Sequence, residues 1–181
     1  MKKLATLAIM LIAAISASAQ LYIGGSFGLN RDMSENQTEF SILPEIGCNL
    51  NKTWAVGAAF GYQHMYNDGI SSNIGVINPY ARYTWFRTGN KLISLFVDGG
   101  VDMSFGATKY RKISSDTLFA FGIGFKPGIS INPTDKFSIV AHIGELGYWG
   151  ANDAGKAAGL TSHWGLNFST LNLNIGFYYN F

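Results

Sequence analysis

The sequence predicts an all-β protein, an eight-stranded antiparallel transmembrane up-and-down β-barrel preceded by a cleaved signal peptide. Three observations predict this fold. Apolar side chains alternate with small or polar ones in eight successive segments, as in strands that have one apolar and one polar face. The apolar side of these segments contains no charged residue. The N-terminus has the charge and hydropathy pattern of a secretory leader.

The leader is the first element in the chain. Two lysines precede the apolar run Leu4–Ile15, and four small residues follow that run. A helix needs about 20 apolar residues to cross a membrane, so this run is too short to span one. The small residues suit cleavage before Gln20. We therefore expect residues 1–19 to be a signal peptide and residues 20–181 to form the barrel domain.

Eight predicted strands follow the leader. Their apolar side falls on even positions in the second and third strands and on odd positions in the other six, and the last strand ends on an aromatic residue. Such an ending is typical of the closing strand of an outer-membrane barrel. In chain order the predicted strands are Leu21–Leu29, Phe40–Leu50, Trp54–Tyr62, Ile77–Trp85, Ile93–Phe105, Phe119–Ile131, Phe137–Ile143 and Leu171–Phe181.

Three prolines lie inside these strands. Pro44, Pro79 and Pro127 each remove a ladder hydrogen bond, and proline in sheets is normally confined to edges and bulges. We expect all three to mark bulges that bend the barrel wall.

The connections between strands alternate in length, which predicts an orientation. Outer-membrane barrels have short periplasmic turns and longer outer loops, so both termini are expected on the periplasmic side. The short connections are 51–52, 87–90 and 132–136, and the long ones are 30–39, 66–73, 106–116 and 148–162. Aromatic residues concentrate at both ends of the strands, as in interfacial belts.

A soluble barrel of the lipocalin type is the alternative fold. Its strands would also alternate, with the apolar side turned inward. Its outer face should be rich in Lys and Glu, whereas the polar side here consists mainly of Gly, Ala, Ser and Asn. This composition favours a narrow polar interior inside a lipid-facing wall.

Five titratable side chains on the polar side form a candidate layer at one depth of the lumen: Glu45, Arg82, Asp98, Lys126 and His142. An eight-stranded barrel is just wide enough for side chains to fill it, and buried charges must be paired. We expect Arg82 to pair with Asp98, and Lys126 to reach Glu45 across the lumen. The layer is either a structural plug or a gate that selects solutes, and the narrow lumen favours the plug.

The chain also resembles a known family. Leu43–Gly47, Asn78–Tyr83, Phe125–Gly128 and Asn174–Phe181, together with the leader, resemble the small eight-stranded outer-membrane barrels of the OmpA, OmpX and opacity-protein type, especially stand-alone forms common in Bacteroidota. The resemblance implies a location in the outer membrane. It leaves the role open, because the family includes adhesins, surface-masking proteins and small-solute pores.

The functional expectation is an integral outer-membrane protein with an envelope-structural or surface role and at most limited small-solute permeability. The alternative is a surface barrel that binds a ligand or a cell through its loops. The expected partners are outer-membrane lipid, lipopolysaccharide and the barrel-assembly machinery, which would engage the strand ending at Phe181, and the expected oligomeric state is a monomer. The basic residues Lys109, Arg111 and Lys112 lie in one outer loop, where they either contact lipid A phosphates or are simply solvated.

Catalysis is not expected. A lipid A-modifying enzyme is a remote alternative, for which Asp153, Ser162 and His163 are the candidate residues. Neighbouring strand residues point to opposite faces, so Ser162 beside His163 is no sign of a shared site. No cofactor, metal or nucleic acid is indicated, and 13 basic against 11 acidic residues give no strong charge bias.

Overall fold

The computed structural model describes residues 20–32, 37–67, 70–110, 113–114, 117–157, 162–167 and 173–181. Almost all of them are in strands, and one short helix, α1 (Asp153–Ala157), lies between the ninth and tenth strands. The strands are β1 (Gln20–Asp32), β2 (Gln37–Asn49), β3 (Trp54–Asn67), β4 (Ile70–Arg87), β5 (Ile93–Tyr110), β6 (Ile113–Ser114), β7 (Leu118–Ile131), β8 (Phe137–Ile143), β9 (Glu145–Ala151), β10 (His163–Asn167) and β11 (Leu173–Asn180).

These strands form a closed antiparallel barrel with a wall of eight strand positions. Strands β1 to β5 pair in sequence, β5 pairs with β7, and β11 closes the barrel by pairing with β1. The seventh position is shared by the two consecutive strands β8 and β9, which both pair with β7. The eighth position is shared by β11, which pairs with β8, and β10, which pairs with β9. The predicted eight-stranded barrel is confirmed.

The side chains divide between the two faces as the alternation predicted. Phe121, Ile123 and Phe125 on β7 are exposed on the outer face, where a membrane barrel meets hydrocarbon. The inward positions of neighbouring strands hold Arg82 and Asp98, whose side chains are only 12% and 7% exposed. This division excludes the soluble barrel, in which the apolar side would be buried.

Several strands extend beyond their predicted ends. Strands β1 and β2 leave only residues 33–36 between them, and β3 and β4 leave only 68–69, so most of two predicted long loops is sheet. The prediction failed there because an apolar-to-polar alternation requires an apolar medium on one face. A hairpin that projects from the membrane has water on both faces and keeps its ladder without that pattern.

The proline prediction holds at one of the three positions. On the strands opposite Pro127, His142 pairs with Gly128 and Leu146 pairs with Phe125. Four residue steps on that side therefore face three on β7, which is a bulge with one extra residue. Gly144 inside this bulge has a φ of 88°, a conformation that glycine adopts at low cost.

The bulge prediction is wrong at the other two prolines. Pro44 pairs in register with Gly25, and Pro79 pairs in register with Ala58. The ladder on the other side of each proline skips two residue pairs and then resumes without a change of register. A missing donor therefore interrupts the pairing locally and does not require an inserted residue.

No helical segment in the described ranges is long and apolar enough to cross a bilayer.

Candidate functional site

The lower part of the lumen, nearest the short turns, is filled by an aromatic cluster. Tyr22, Phe96 and Tyr178 are buried there together with Ala55 and Val140. The rings of Tyr22 and Tyr178 meet edge to face, with their centroids 5.9 Å apart. Because these residues come from five strands, their packing joins opposite walls of the barrel.

An ion pair lies directly on this cluster. Arg82 Nε donates to Asp98 Oδ1 at 2.7 Å, and Arg82 Nη2 donates to Asp98 Oδ2 at 2.8 Å. His142 Nε2 lies 2.7 Å from Asp98 Oδ2. The Arg82 guanidinium carbon also lies 4.1 Å from the centroid of the Phe96 ring. Two parallel hydrogen bonds and a cation–π contact fix the guanidinium in one position.

Glu45 is the centre of a second network. It accepts a hydrogen bond from the Tyr178 hydroxyl at 2.7 Å and another from the Tyr80 hydroxyl. The hydroxyls of Tyr80 and Tyr22 are 2.5 Å apart. Since these four residues lie on β1, β2, β4 and β11, the network crosses the lumen. We call the side chains of both networks the lumen plug: Tyr22, Glu45, Tyr80, Arg82, Asp98, His142 and Tyr178.

Lys126 has a different partner from the expected one. Its ammonium group donates to Asp102 Oδ1 at 2.7 Å. The predicted pair of Lys126 with Glu45 is therefore wrong, whereas the predicted pair of Arg82 with Asp98 is present. Lys126 and Asp102 lie on the paired strands β7 and β5, so a short local contact replaces a reach across the lumen.

Inward-facing glycines provide the space for the plug. A Cβ atom at Gly47 or Gly57 would overlap the Tyr22 side chain, and one at Gly128 would overlap the Phe96 ring. In a lumen this narrow, a large side chain on one strand fits only where the facing positions of neighbouring strands are glycine, which has no side chain. The glycines of the polar face are thus part of the packing.

The model of the outer membrane protein beta-barrel domain family matches residues 4–181. The chain belongs to this family. Its fold is similar to the crystal structure of Neisserial surface protein A (NspA), with 14% sequence identity, coverage of 90% of this chain and 96% of that chain, and a TM-score of 0.51. The backbone structure of the Yersinia pestis outer membrane protein Ail, solved in a phospholipid bilayer nanodisc, has 14% identity, coverage of 91% and 100%, and a TM-score of 0.45.

No curated protein matches the chain significantly. At 14% identity, the likeness to NspA concerns the fold alone. Family membership places the chain among outer-membrane barrels, in agreement with the resemblance found in the sequence.

Sequence reasoning missed the tyrosines of the plug and the Phe96 ring on which Arg82 lies. Tyr22, Tyr80, Phe96 and Tyr178 all occupy the inward parity of their strands. Bulky aromatic residues on the small and polar side were the signal that could have identified them. The hydroxyl groups of Tyr80 and Tyr178 take the place of the cation that was expected beside Glu45.

The other predicted site residues lie outside the plug. The backbone of Lys109 lies in β5 and not in a loop, whereas its side chain, Arg111 and Lys112 are outside the described residues. Asp153 forms an ion pair of 3.7 Å with Lys156 on α1. The His163 ring stacks on Trp149, with the centroids 5.2 Å apart.

Two aromatic residues near the outer rim lie on the outer face of the wall. Tyr148 and Trp164 pair across β9 and β10 and are exposed on the same face as Leu146 and Leu166. That face is the lipid side. Amphipathic aromatic side chains on the outer face of membrane barrels are commonly found at the membrane–water interface.

Proposed function

We propose that this outer-membrane barrel has an envelope-structural or surface role and that its lumen is held shut, with at most limited permeability to small solutes. The lumen plug carries the proposal, because its networks join the barrel walls across the lumen. A passing solute would have to break several charge-assisted hydrogen bonds at once. Each of these is worth about 1.5–3 kcal/mol.

Planar-bilayer conductance of the refolded protein tests the closed lumen. We expect no steady pores above a porin-free control. Glu45→Ala removes the acceptor shared by Tyr80 and Tyr178 and should produce openings, whereas Asp135→Ala in an exposed turn should not. Steady pores in the wild type that Glu45→Ala abolishes or alters would contradict the plug and favour a gate.

We also propose that the barrel is exported with cleavage before Gln20, is monomeric, has both termini in the periplasm, and contacts lipopolysaccharide and the assembly machinery. The wall pattern and the family support this arrangement. Intact mass of the purified protein should show residue 20 as the first, and trypsin added to whole cells should cut at Arg111 or Lys112, in the predicted outer loop, but not in the turn containing Lys91. Cleavage at Lys91 in intact cells would reverse the orientation.

Catalysis is not part of the proposal. Asp153 pairs with Lys156 and His163 stacks on Trp149, so the candidate base and its orienting acid have other contacts. Deletion of the protein should leave the acyl pattern of lipid A unchanged. A changed pattern that the wild type restores and His163→Ala does not would establish an enzyme.

A further inference from the structure

A cavity of about 500 Å³ lies in the lumen on the loop side of the plug. The plug forms its floor through Glu45, Asp98 and His142, and the wall above includes Asp102 and Glu145. Sites for small molecules commonly have volumes of about 300–1,000 Å³. The cavity is thus large enough for a small solute and lies directly above the hydrogen bonds of the plug.

Three polar side chains form an arc on one side of this cavity. Near Pro79 the ladder between β4 and β5 skips two residue pairs. The register places Asn78 on β4 opposite Asp102 on β5 at the first of them, and both side chains line the cavity. Glu145 begins β9, and both β9 and β5 pair with β7. With about 4.8 Å between neighbouring strands, the arc from β4 to β9 spans about 14 Å.

The arc has unused capacity to accept hydrogen bonds. Asp102 binds Lys126 through Oδ1. Asn78 Oδ1 is buried without a hydrogen-bond partner in the described structure. Glu145 has no ion pair within the part of the chain that the structure describes. A half-buried carboxylate without a counter-charge is costly and attracts a cation.

The charges that line the cavity also favour a cationic ligand. Of its four lining carboxylates, Asp98 and Asp102 have basic partners and Glu45 is held by two tyrosine hydroxyls. Glu145 has no such partner among the residues that the structure describes, because Lys126, which lines the same cavity from β7, pairs with Asp102. The described residues contain no group of three His, Cys, Asp or Glu side chains that could hold a metal ion. An organic cation with N–H donors matches an arc of acceptors better than a metal ion does.

We propose that the cavity above the plug binds a small organic cation, an alkylammonium ion of the size of a short diamine. Glu145 and Asp102 accept hydrogen bonds from its ammonium groups. Asn78 supplies a further acceptor once its side chain turns its buried Oδ1 atom toward the ligand, a movement that no hydrogen bond to this atom opposes in the described structure.

Calorimetric titration of the refolded full chain with 1,4-diaminobutane at low salt tests the proposal, with neutral 1,4-butanediol as the matched ligand. Saturable binding of the diamine and none of the diol is expected. Glu145→Gln should weaken binding at least about tenfold, because it removes the unpaired charge and keeps the shape. Asp135→Asn, a matched change in an exposed turn, should leave affinity unchanged.

A second variant keeps the test decisive if Glu145→Gln does not fold. Lys126→Met releases Asp102 from its ion pair, so it should tighten diamine binding and make it more sensitive to salt. Equal heats for diamine and diol, unchanged affinity in Glu145→Gln, or weaker binding in Lys126→Met would each overturn the proposal. No voltage is applied, so the result is independent of whether the lumen conducts.

Discussion

Replacing Asp98 by asparagine is the most informative perturbation of the lumen plug, because it removes a charge and keeps the side-chain shape. Arg82 has both ends of its guanidinium on the Asp98 carboxylate, and its side chain is only 12% exposed. The variant leaves this cation in the lumen without its counter-charge. It also removes the carboxylate beside His142.

The expected loss of stability follows from burial. Breaking a buried ion pair by removing one partner costs about 3–5 kcal/mol. The amide oxygen introduced by Asp98→Asn can still accept one hydrogen bond from Arg82, so the lower end of this range applies, about 3 kcal/mol. An exposed pair would lose at most about 1 kcal/mol, and Asp135→Asn in a turn should change the free energy of unfolding by less than about 0.5 kcal/mol.

Equilibrium unfolding in urea of protein refolded into lipid vesicles measures these changes through tryptophan fluorescence and the gel mobility of the folded barrel. A loss in Asp98→Asn no larger than that in Asp135→Asn would refute the reasoning. The double variant Arg82→Met with Asp98→Leu should recover much of the lost stability, because it leaves no buried charge unpaired. A double variant no more stable than Asp98→Asn would show that packing, not charge, dominates.

The other predictions concern packing, hydrogen bonding and the lipid face, and all are measured by the same unfolding assay. Gly128→Val should destabilise the barrel by about 1–3 kcal/mol, because its side chain meets a buried ring, whereas Gly89→Ala, with open space around it, should be close to neutral. A neutral Gly128→Val would contradict the packing. Tyr178→Phe removes one hydrogen bond to Glu45 and should cost about 1.5–3 kcal/mol, and no loss would show that this bond is unimportant. Ile123→Arg places a charge on the lipid face and should cost about 2–4 kcal/mol, and a neutral result would mean that Ile123 meets water.

The alternation in the sequence correctly predicted which side chains face outward and which face inward. It could do so because the medium around each side chain determines whether that side chain must be apolar or polar. Phe121 and Ile123 must be apolar wherever the strand ends fall, and Asp98 must face inward. Strand number, strand direction and the Arg82–Asp98 pair follow from this alternation, since directly opposite residues on paired strands are neighbours.

The partners inside the lumen could not be predicted in the same way. Lys126 pairs with Asp102 rather than Glu45 because the choice depends on which long side chains fill the space between them. Tyr80 and Tyr178 occupy that space and supply the donors to Glu45. Contacts of this kind depend on three-dimensional packing across several strands, about which a period of two residues carries no information.

Contacts between methyl groups and lipid acyl chains test the central claim most directly. In methyl-labelled protein reconstituted into nanodiscs, nuclear Overhauser effects to acyl-chain protons should be strong for Ile123 and Ile175 and missing for Val76 and Val140, which are 6% and 2% exposed. Acyl-chain contacts at the two valines and none at the two isoleucines would contradict a wall with its apolar face in hydrocarbon and its ion pairs in the lumen.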